Sequence, residues 1–321
     1  MRRKRLGRSG LKVSALGLGT ANWGVAVNEH VGGQILRAYL SAHGNLIDTA
    51  DFYGLGAAES LVGRLLATMG VRDEVILATK AGGTVRGPNA SAAHLRQALD
   101  ESLRRLGVDY VDLWQVHDWD GHAPLEETLR TLDWAVSTGR VRYVGVCNYS
   151  GPQTADAVDL LAASGLTTLT STQLEYSLLN RSIERDIIPL ALTHGIDVIA
   201  WGSLGRGMLT GKYLDDVPPH RADDAFFQRY VGQYIDRSTS IARAVVDVAH
   251  HLGHPPAAVA GAWASTRPGI GTALVGARSP HQLTESLAAA WLTLDGDTIE
   301  LLNQASSHAN ITELDVDHSI K

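Results

Sequence analysis

A single cysteine, Cys147, stands among 321 residues. That excludes an intrachain disulfide framework and fits a reducing compartment. Its setting, VRYVGVCNYS, is an apolar strand pattern in which a buried, inert thiol is expected rather than a nucleophile. No apolar run approaches the roughly 18 to 20 residues of a membrane helix. Glycine fingerprints for nucleotides are missing too: no G-x-G-x-x-G follows an early strand pattern, and there is no P-loop. Neither a linker nor a low-complexity tract interrupts the chain. Positive charge is not in surplus, since 28 Lys and Arg face 34 Asp and Glu for a formal charge of −6. Nucleic acid is therefore a poor fit as main partner. The one basic run, Met1-Arg2-Arg3-Lys4-Arg5, is followed by Gly7, Arg8, Gly10, Lys12, Gly17 and Gly19, which break the apolar stretch a secretion signal needs. It reads as the solvated end of a first hairpin. These exclusions leave a chain expected to be cytoplasmic, with neither a nucleic-acid nor a membrane partner.

What is present is a large apolar share, 45%, with 19% charged residues. That is the balance of a globular chain long enough to bury a sizeable core. Leu6–Ala15 predicts a short hairpin turning at Arg8-Ser9-Gly10. Eight strand-length apolar runs follow, starting near Ala15, Asn45, Val75, Val111, Val141, Thr167, Ile196 and Thr272. All but the last interval are about 30 residues, one strand-plus-helix unit each. Helix patterns fill the gaps at His30–His43, Ala57–Met69, Ser91–Leu106, Pro124–Thr138, Gln153–Ala163, Ile183–His194 and Pro280–Ala290. Ser91 suits an N-cap, Pro124 a first helical position, and Gly107, Gly139 and Gly195 suit helix ends.

Strands apolar on both faces, each followed by a helix, predict a parallel sheet. Eight such units close into a (β/α)₈ barrel, and the missing nucleotide turn disfavours an open doubly wound sheet. The long interval Gly202–Gly271 holds a Gly-rich loop, Pro218-Pro219 and two more helix patterns, Tyr234–Leu252 and Pro256–Ser265. We read it as an elaborated loop plus an extra helix before strand eight, within one domain spanning 1–321. Glu313–Lys321 reads as a polar tail.

A barrel places its chemistry where strands end, on the C-terminal face. The ends of these runs carry Asp48, Lys80, His117, Asn148, Gln173 and Trp201, with Tyr53 on the turn after the second. Singly, each has a bland reading: a surface lysine, a structural histidine, an acid capping a turn. Jointly they fit proton donation to a carbonyl. A phenol at its ordinary pKa of about 10 is a poor acid at neutral pH. A nearby Lys80 ammonium is expected to lower it, Asp48 to balance the buried ammonium, and His117 to orient the carbonyl oxygen. Asp51, between them, has no evident role. A Schiff-base aldolase using Lys80 is a competing chemistry on the same rim.

The chain resembles an aldo-keto reductase. The motifs that carry this are LGLGTANWG, NLIDTADFYGLGAAESLVGRLL, VILATK, DYVDLWQVHDWD, GRVRYVGVCNYS, QLEYSLLNR, GIDVIAWGSLGRGMLTGKY and VGARSPHQL, in the family's order over nearly the whole length. The resemblance implies a (β/α)₈ barrel binding NADP(H) along its C-terminal rim, without a Rossmann motif. It implies Asp48, Tyr53, Lys80 and His117 as the catalytic tetrad, with Tyr53 as proton donor. Asn148 and Gln173 would hold the nicotinamide carboxamide and Trp201 would stack on the ring. Gly202, Ser203, Leu204 and Gly207 would wrap the pyrophosphate, and Gly276, Arg278, Gln282 and Glu285 would grip the adenosine phosphate end. Arg278 near a helix start suits a 2′-phosphate, favouring NADP(H) over NAD(H).

Two positions depart from the family pattern: Cys147 where serine is usual, and Ser286 where asparagine is common at the adenine. EYSLLNR, VGAR and HDWD resemble the branch of potassium-channel β-subunits, aflatoxin-aldehyde reductases and deoxysugar reductases. This leaves open whether the chain is an enzyme acting on a small-molecule carbonyl or a cofactor-binding regulatory module. The oligomeric state is equally open. Trp23, Trp119 and the loop Gly211–Gln233 are expected to wall the substrate, an indole being suited to an aromatic aldehyde or a sugar ring. The group Asp118, Asp120, His122 lacks tight ligand spacing, and His250, His251, His254 fall near a helix end as a solvated face, so no metal is expected.

Overall fold

The computed structural model describes residues 1–215 and 235–307. Strands β1 (Arg3–Arg5) and β2 (Lys12–Ser14) form the expected antiparallel hairpin, with β1 lying within the basic run itself. Lys4 is not simply solvated: its amine donates to the Ile270 carbonyl, and burial pushes its pKa down. Eight further strands follow: β3 (Leu16–Gly19), β4 (Leu46–Asp48), β5 (Ile76–Ala81), β6 (Val111–Val116), β7 (Val141–Cys147), β8 (Leu169–Glu175), β9 (Asp197–Trp201) and β10 (Ile270–Gly276). They close a barrel in which each strand pairs in parallel with its sequence neighbours, and β10 with β3. Helices α1 (Glu29–Ser41), α2 (Ala57–Met69), α3 (Ala92–Leu106), α4 (Leu125–Ser137), α5 (Gly151–Ser164), α6 (Ile187–His194) and α9 (Pro280–Leu287) alternate with the strands. The long interval before β10 supplies α7 (Ile235–Leu252) and α8 (Pro256–Ser265). This is a (β/α)₈ barrel with flanking helices and an N-terminal hairpin.

The core has two parts. Between strands and helices lies a shell of branched and aromatic side chains such as Leu36, Ile47, Leu77, Val111, Val146 and Trp263. Leu6, Leu11 and Val13 of the hairpin region pack with Leu46, Ala78, Leu113, Ile199 and Leu274 of the strands. These apolar residues fill the end at which the strands begin, and the polar strand ends gather at the other. Helix α2 approaches α3 closely enough that a Cβ on Gly63 would lie 2.5 Å from the Leu106 carbonyl oxygen, so only glycine fits there.

Several terminal details differ from expectation. Ser91 precedes α3 without capping it through its side chain; its hydroxyl donates to Asn89 instead, 2.8 Å away. The Ala92 amide finds its acceptor on Glu127, 2.7 Å away. Pro124 sits one position before α4, and the expected Ile183–His194 helix divides into a 3₁₀ turn, Ser182–Glu184, and α6. A final helix, α10 (Gly296–Ala305), was not evident in the sequence: only Leu302 of it is buried, so it carries little apolar periodicity. Most of the loop Gly211–Gln233 and the tail Glu313–Lys321 lie outside the described residues.

Candidate active site

The polar rim is built from β4 outward. Asp48 is the last residue of β4 and Lys80 the penultimate residue of β5; the register pairs Asp48 with Ala78, so Lys80 stands two residues further along β5 on the same face and its long side chain reaches back to the carboxylate. Lys80 Nζ donates to Asp48 Oδ2 at 2.7 Å, to the Thr49 carbonyl at 2.8 Å and to Tyr53 Oη at 3.2 Å. Its side chain is 0% exposed and that of Asp48 is 2% exposed. A buried ammonium with three oxygen acceptors has its full complement of partners. The other Asp48 oxygen accepts from Gln173 Nε2 at 2.9 Å, so each carboxylate oxygen has a donor.

Tyr53 reaches this cluster because the chain turns sharply behind it. Gly54, Leu55 and Gly56 have φ of 57°, 54° and 89°, three successive left-handed residues, one of them a leucine. The turn is closed by the Tyr53 amide on the Ala50 carbonyl, 3.2 Å, and the Asp51 amide on the Lys80 carbonyl, 3.1 Å. Tyr53 ends half-buried, its ring edge-on to that of His117 with centroids 5.8 Å apart and the Lys80 ammonium 4.7 Å from its ring centre. His117 follows β6, its amide on the Ala81 carbonyl.

Charge states follow from burial and pairing. Desolvation alone would push the Lys80 ammonium down, but Asp48 and then Tyr53 more than reverse this and hold it above its ordinary value. For Tyr53, burial pushes the phenol up, Lys80 pulls it down and Asp48 pushes it up again; burial prevails. The expectation that Lys80 lowers the phenol therefore captures one opposing influence but not the balance. Tyr53 is a protonated phenol at neutral pH. Cys147 is 1% exposed and burial pushes its thiol well above the ordinary value, as befits an inert core thiol.

A second network adjoins the first. Asn148, just past β7, takes a left-handed φ of 59°, which asparagine tolerates. Its amide donates to Asp118 Oδ1 at 2.9 Å and to the His117 carbonyl at 3.2 Å, and its oxygen accepts from Trp201 Nε1 at 3.2 Å. Trp201 ends β9, half-buried, with the Arg206 guanidinium 5.2 Å from its ring centre. The following loop has left-handed Gly202, Arg206 and Gly207, and Ser203 is tied to β10 through its hydroxyl on the Leu274 carbonyl at 2.8 Å. Leu204 in this loop is half-buried. Beyond β10, Gly276 and Arg278 are exposed, Gln282 Oε1 accepts from the Arg278 amide at 3.0 Å, and Glu285 lies 3.6 Å from His281. Ser286 is buried with its hydroxyl on the Gln282 carbonyl.

The structure thus joins Asp48, Lys80, Tyr53, His117 and Gln173 in one cluster and Asn148, Asp118 and Trp201 in the next. Trp23 is a correction. It is 1% exposed, packs beside Gly32 in the core, and offers no face to a substrate. Trp119 remains on the rim, half-buried, and meets Tyr149 edge-on with centroids 5.0 Å apart. Sequence reasoning missed Glu59, which is fully buried on α2 and bound by Thr79 Oγ1 at 2.6 Å and Arg105 Nε at 2.7 Å. The signal was available: Glu59 shares its helix face with Val62, Gly63 and Leu66, an acid on an apolar stripe.

Residues 15–307 match the aldo/keto reductase family. Protein tas of Escherichia coli is 32% identical over 93% of this chain and 96% of its own length. Aldo-keto reductase YhdN of Bacillus subtilis is 33% identical, covering 86% of this chain and 84% of that protein. A probable voltage-gated potassium channel subunit beta of Oryza sativa is 32% identical over 90% and 91%. Among the described residues no helix is long and apolar enough to cross a membrane.

Proposed function

The chain belongs to the aldo/keto reductase family of nicotinamide-dependent oxidoreductases, and from that premise we propose that it reduces an aldehyde or ketone with NADP(H), Tyr53 giving the proton. The observation that carries this reading is the chain of contacts Tyr53–Lys80–Asp48, 3.2 and 2.7 Å, around a fully buried ammonium. Burial keeps the proton on Tyr53 until a carbonyl oxygen needs it. As that proton leaves, negative charge grows on the phenol oxygen within reach of Lys80, which stabilises it. Asp48 keeps Lys80 charged in a site where it would otherwise shed its proton. His117, edge-on to Tyr53, directs the carbonyl oxygen toward the phenol. A lysine so paired has no free amine for a Schiff base, which disfavours aldolase chemistry.

The rim suits the cofactor. Asn148 and Gln173 would hold the carboxamide, Asn148 through the lone pair left on its oxygen and Gln173 through its second Nε2 hydrogen and its oxygen, and Trp201 would lie against the ring, fixed at its Nε1 by Asn148. Gly202, Ser203, Leu204 and Gly207 would meet the pyrophosphate through backbone amides: Gly207 has φ 94°, and a Cβ there would lie 2.9 Å from the Lys212 amine. Gly276, Arg278, Gln282 and Glu285 would hold the adenosine end; exposed Arg278, just before α9, favours a 2′-phosphate. When bound, the nicotinamide supplies the hydride. The test is initial-rate NADPH oxidation over aldehydes, ketosteroids, dicarbonyls and keto-sugars, with NADH alongside. Turnover of at least one class, faster with NADPH, is expected; no turnover with any class overturns the reading.

The likeness to a channel β-subunit favours a second reading, a cofactor-binding module that acts on a partner. Stoichiometric co-purification of a partner, with negligible turnover across the same panel, would support it.

A further inference from the structure

Asp51 lies between Asp48 and Tyr53, yet contacts neither in the proton-transfer set described above. Its amide is fixed to the Lys80 carbonyl at 3.1 Å. Its carboxyl is in an awkward place: Oδ1 is buried with no hydrogen-bond partner, and the Phe52 amide is the backbone donor to the group. The Glu59–Arg105 pair, which meets the same turn at Gly56, acts on it electrostatically. Glu59 is 0% exposed, with one oxygen on Thr79 and the other 2.7 Å from Arg105 Nε. Arg105 also reaches Glu101 at 3.4 Å and Ser102 at 3.3 Å.

This guanidinium is part of the Tyr53 turn's support. Gly56, the last left-handed residue of the turn, packs on Arg105 so closely that a Cβ would lie 2.7 Å from Cδ and 2.8 Å from Nε. The charged groups that act on Asp51 are Glu59 from α2, Arg105 from α3 and Lys80 from β5; Lys80 in turn carries Asp48 and Tyr53, and Arg105 also carries Glu101. Asp48 already neutralises Lys80, and Glu59 already neutralises Arg105. A neutral Asp51 leaves this set balanced. An ionised Asp51 adds an uncompensated negative charge beside Glu59, and Arg105 is the nearby cation that can be drawn from Glu59 to answer it.

We infer that Asp51 is a positioning residue that must carry its proton for full activity: neutral, it leaves Arg105 on Glu59 and against Gly56, and ionised, it draws Arg105 away and loosens the turn that aims Tyr53. The effect on turnover rests on the proposed role of Tyr53; the effect on the turn does not. Burial and the Glu59 charge push the Asp51 carboxyl up to about 7, so the change falls near neutrality.

The experiment compares wild type with Asp51→Asn, which is neutral at every pH, by two readouts from about pH 6 to about pH 8.5. One is kcat for NADPH-dependent carbonyl reduction. The other is amide hydrogen exchange in the peptide spanning the Tyr53 turn, corrected for intrinsic pH dependence. In wild type, kcat should fall about tenfold as pH rises and turn protection should fall in parallel, while both stay flat in the variant. If Asp51→Asn does not fold, Asp51→Ser takes its place. A pH-dependent wild-type turn that is flat in the variant, in a protein that reduces no carbonyl, upholds the inference about the turn and overturns the proposed function. The same descending limb in wild type and variant, or a turn whose protection does not change with pH, overturns the inference.

Discussion

Lys80→Met is the most informative perturbation of the buried ion pair. Methionine is close to lysine in volume, so the change removes a charge and three hydrogen bonds with little loss of packing. Asp48 would then be a carboxylate 2% exposed with only the Gln173 amide for company. Breaking one side of a buried pair costs about 3–5 kcal/mol, because the partner's desolvation is no longer offset. Asp48→Asn strands the ammonium in the same way and should cost a similar amount. Removing both charges should cost far less than the sum, about 2 kcal/mol, the remainder coming from the Thr49 carbonyl left without its donor. Urea unfolding followed by tryptophan fluorescence measures all three variants. The pH dependence has a definite sign. The Lys80 pKa is raised on folding, so its contribution is complete below the unfolded value of about 10.4 and is lost only as pH climbs through the higher folded value. The wild-type contribution should therefore be flat from about pH 6 to about pH 9, whereas the Asp48→Asn loss should shrink toward alkaline pH as the stranded Lys80 sheds its proton. Additive single costs, or single costs below about 1 kcal/mol, would refute the claim that the pair acts as one buried unit.

Other consequences follow from the same geometry. Asp51 has its pKa raised to about 7 on folding, so its favourable contribution is full below the unfolded value near 3.9 and is lost as pH rises through about 7. Asp51→Asn should accordingly be more stable than wild type by about 2–4 kcal/mol at mildly alkaline pH, and the advantage should vanish in acid, read by urea unfolding across pH. Arg278→Gln should raise KM for NADPH about tenfold and leave KM for NADH nearly unchanged, since a charge-assisted contact to a 2′-phosphate is lost. Trp23→Ala should cost about 3–5 kcal/mol of stability with little change in carbonyl KM. Trp119→Ala should raise carbonyl KM while costing less stability, a comparison made by unfolding and steady-state kinetics together.

The barrel was legible because its strands are apolar on both faces and recur about every 30 residues, a rhythm that needs no knowledge of packing. The strand ends were equally legible, since Asp48 and Lys80 both close neighbouring parallel strands, two residues apart in register and on one face. Trp23 misled because a tryptophan after a strand can face either the mouth or the shell, and only packing beside Gly32 decides it. The phenol of Tyr53 could not be ranked from sequence either: burial and Lys80 push in opposite directions, and their balance depends on depth. Asp51 had no evident role in the sequence, because the burial of its Oδ1 and the charges of Glu59 and Arg105 that act on it come only with the packing of two different helices against the turn. Helix α10 was silent for a simpler reason: one buried leucine is no stripe.

Tyr53 as the proton donor is tested most directly by removing its hydroxyl. Tyr53→Phe removes one hydroxyl from a cluster whose other contacts, Lys80 with Asp48 and the Thr49 carbonyl, remain. NADPH-dependent carbonyl reduction should then fall about 10²–10⁴-fold in kcat, while NADPH affinity, read by quenching of tryptophan fluorescence, stays within about twofold. Turnover unchanged by Tyr53→Phe would contradict that role.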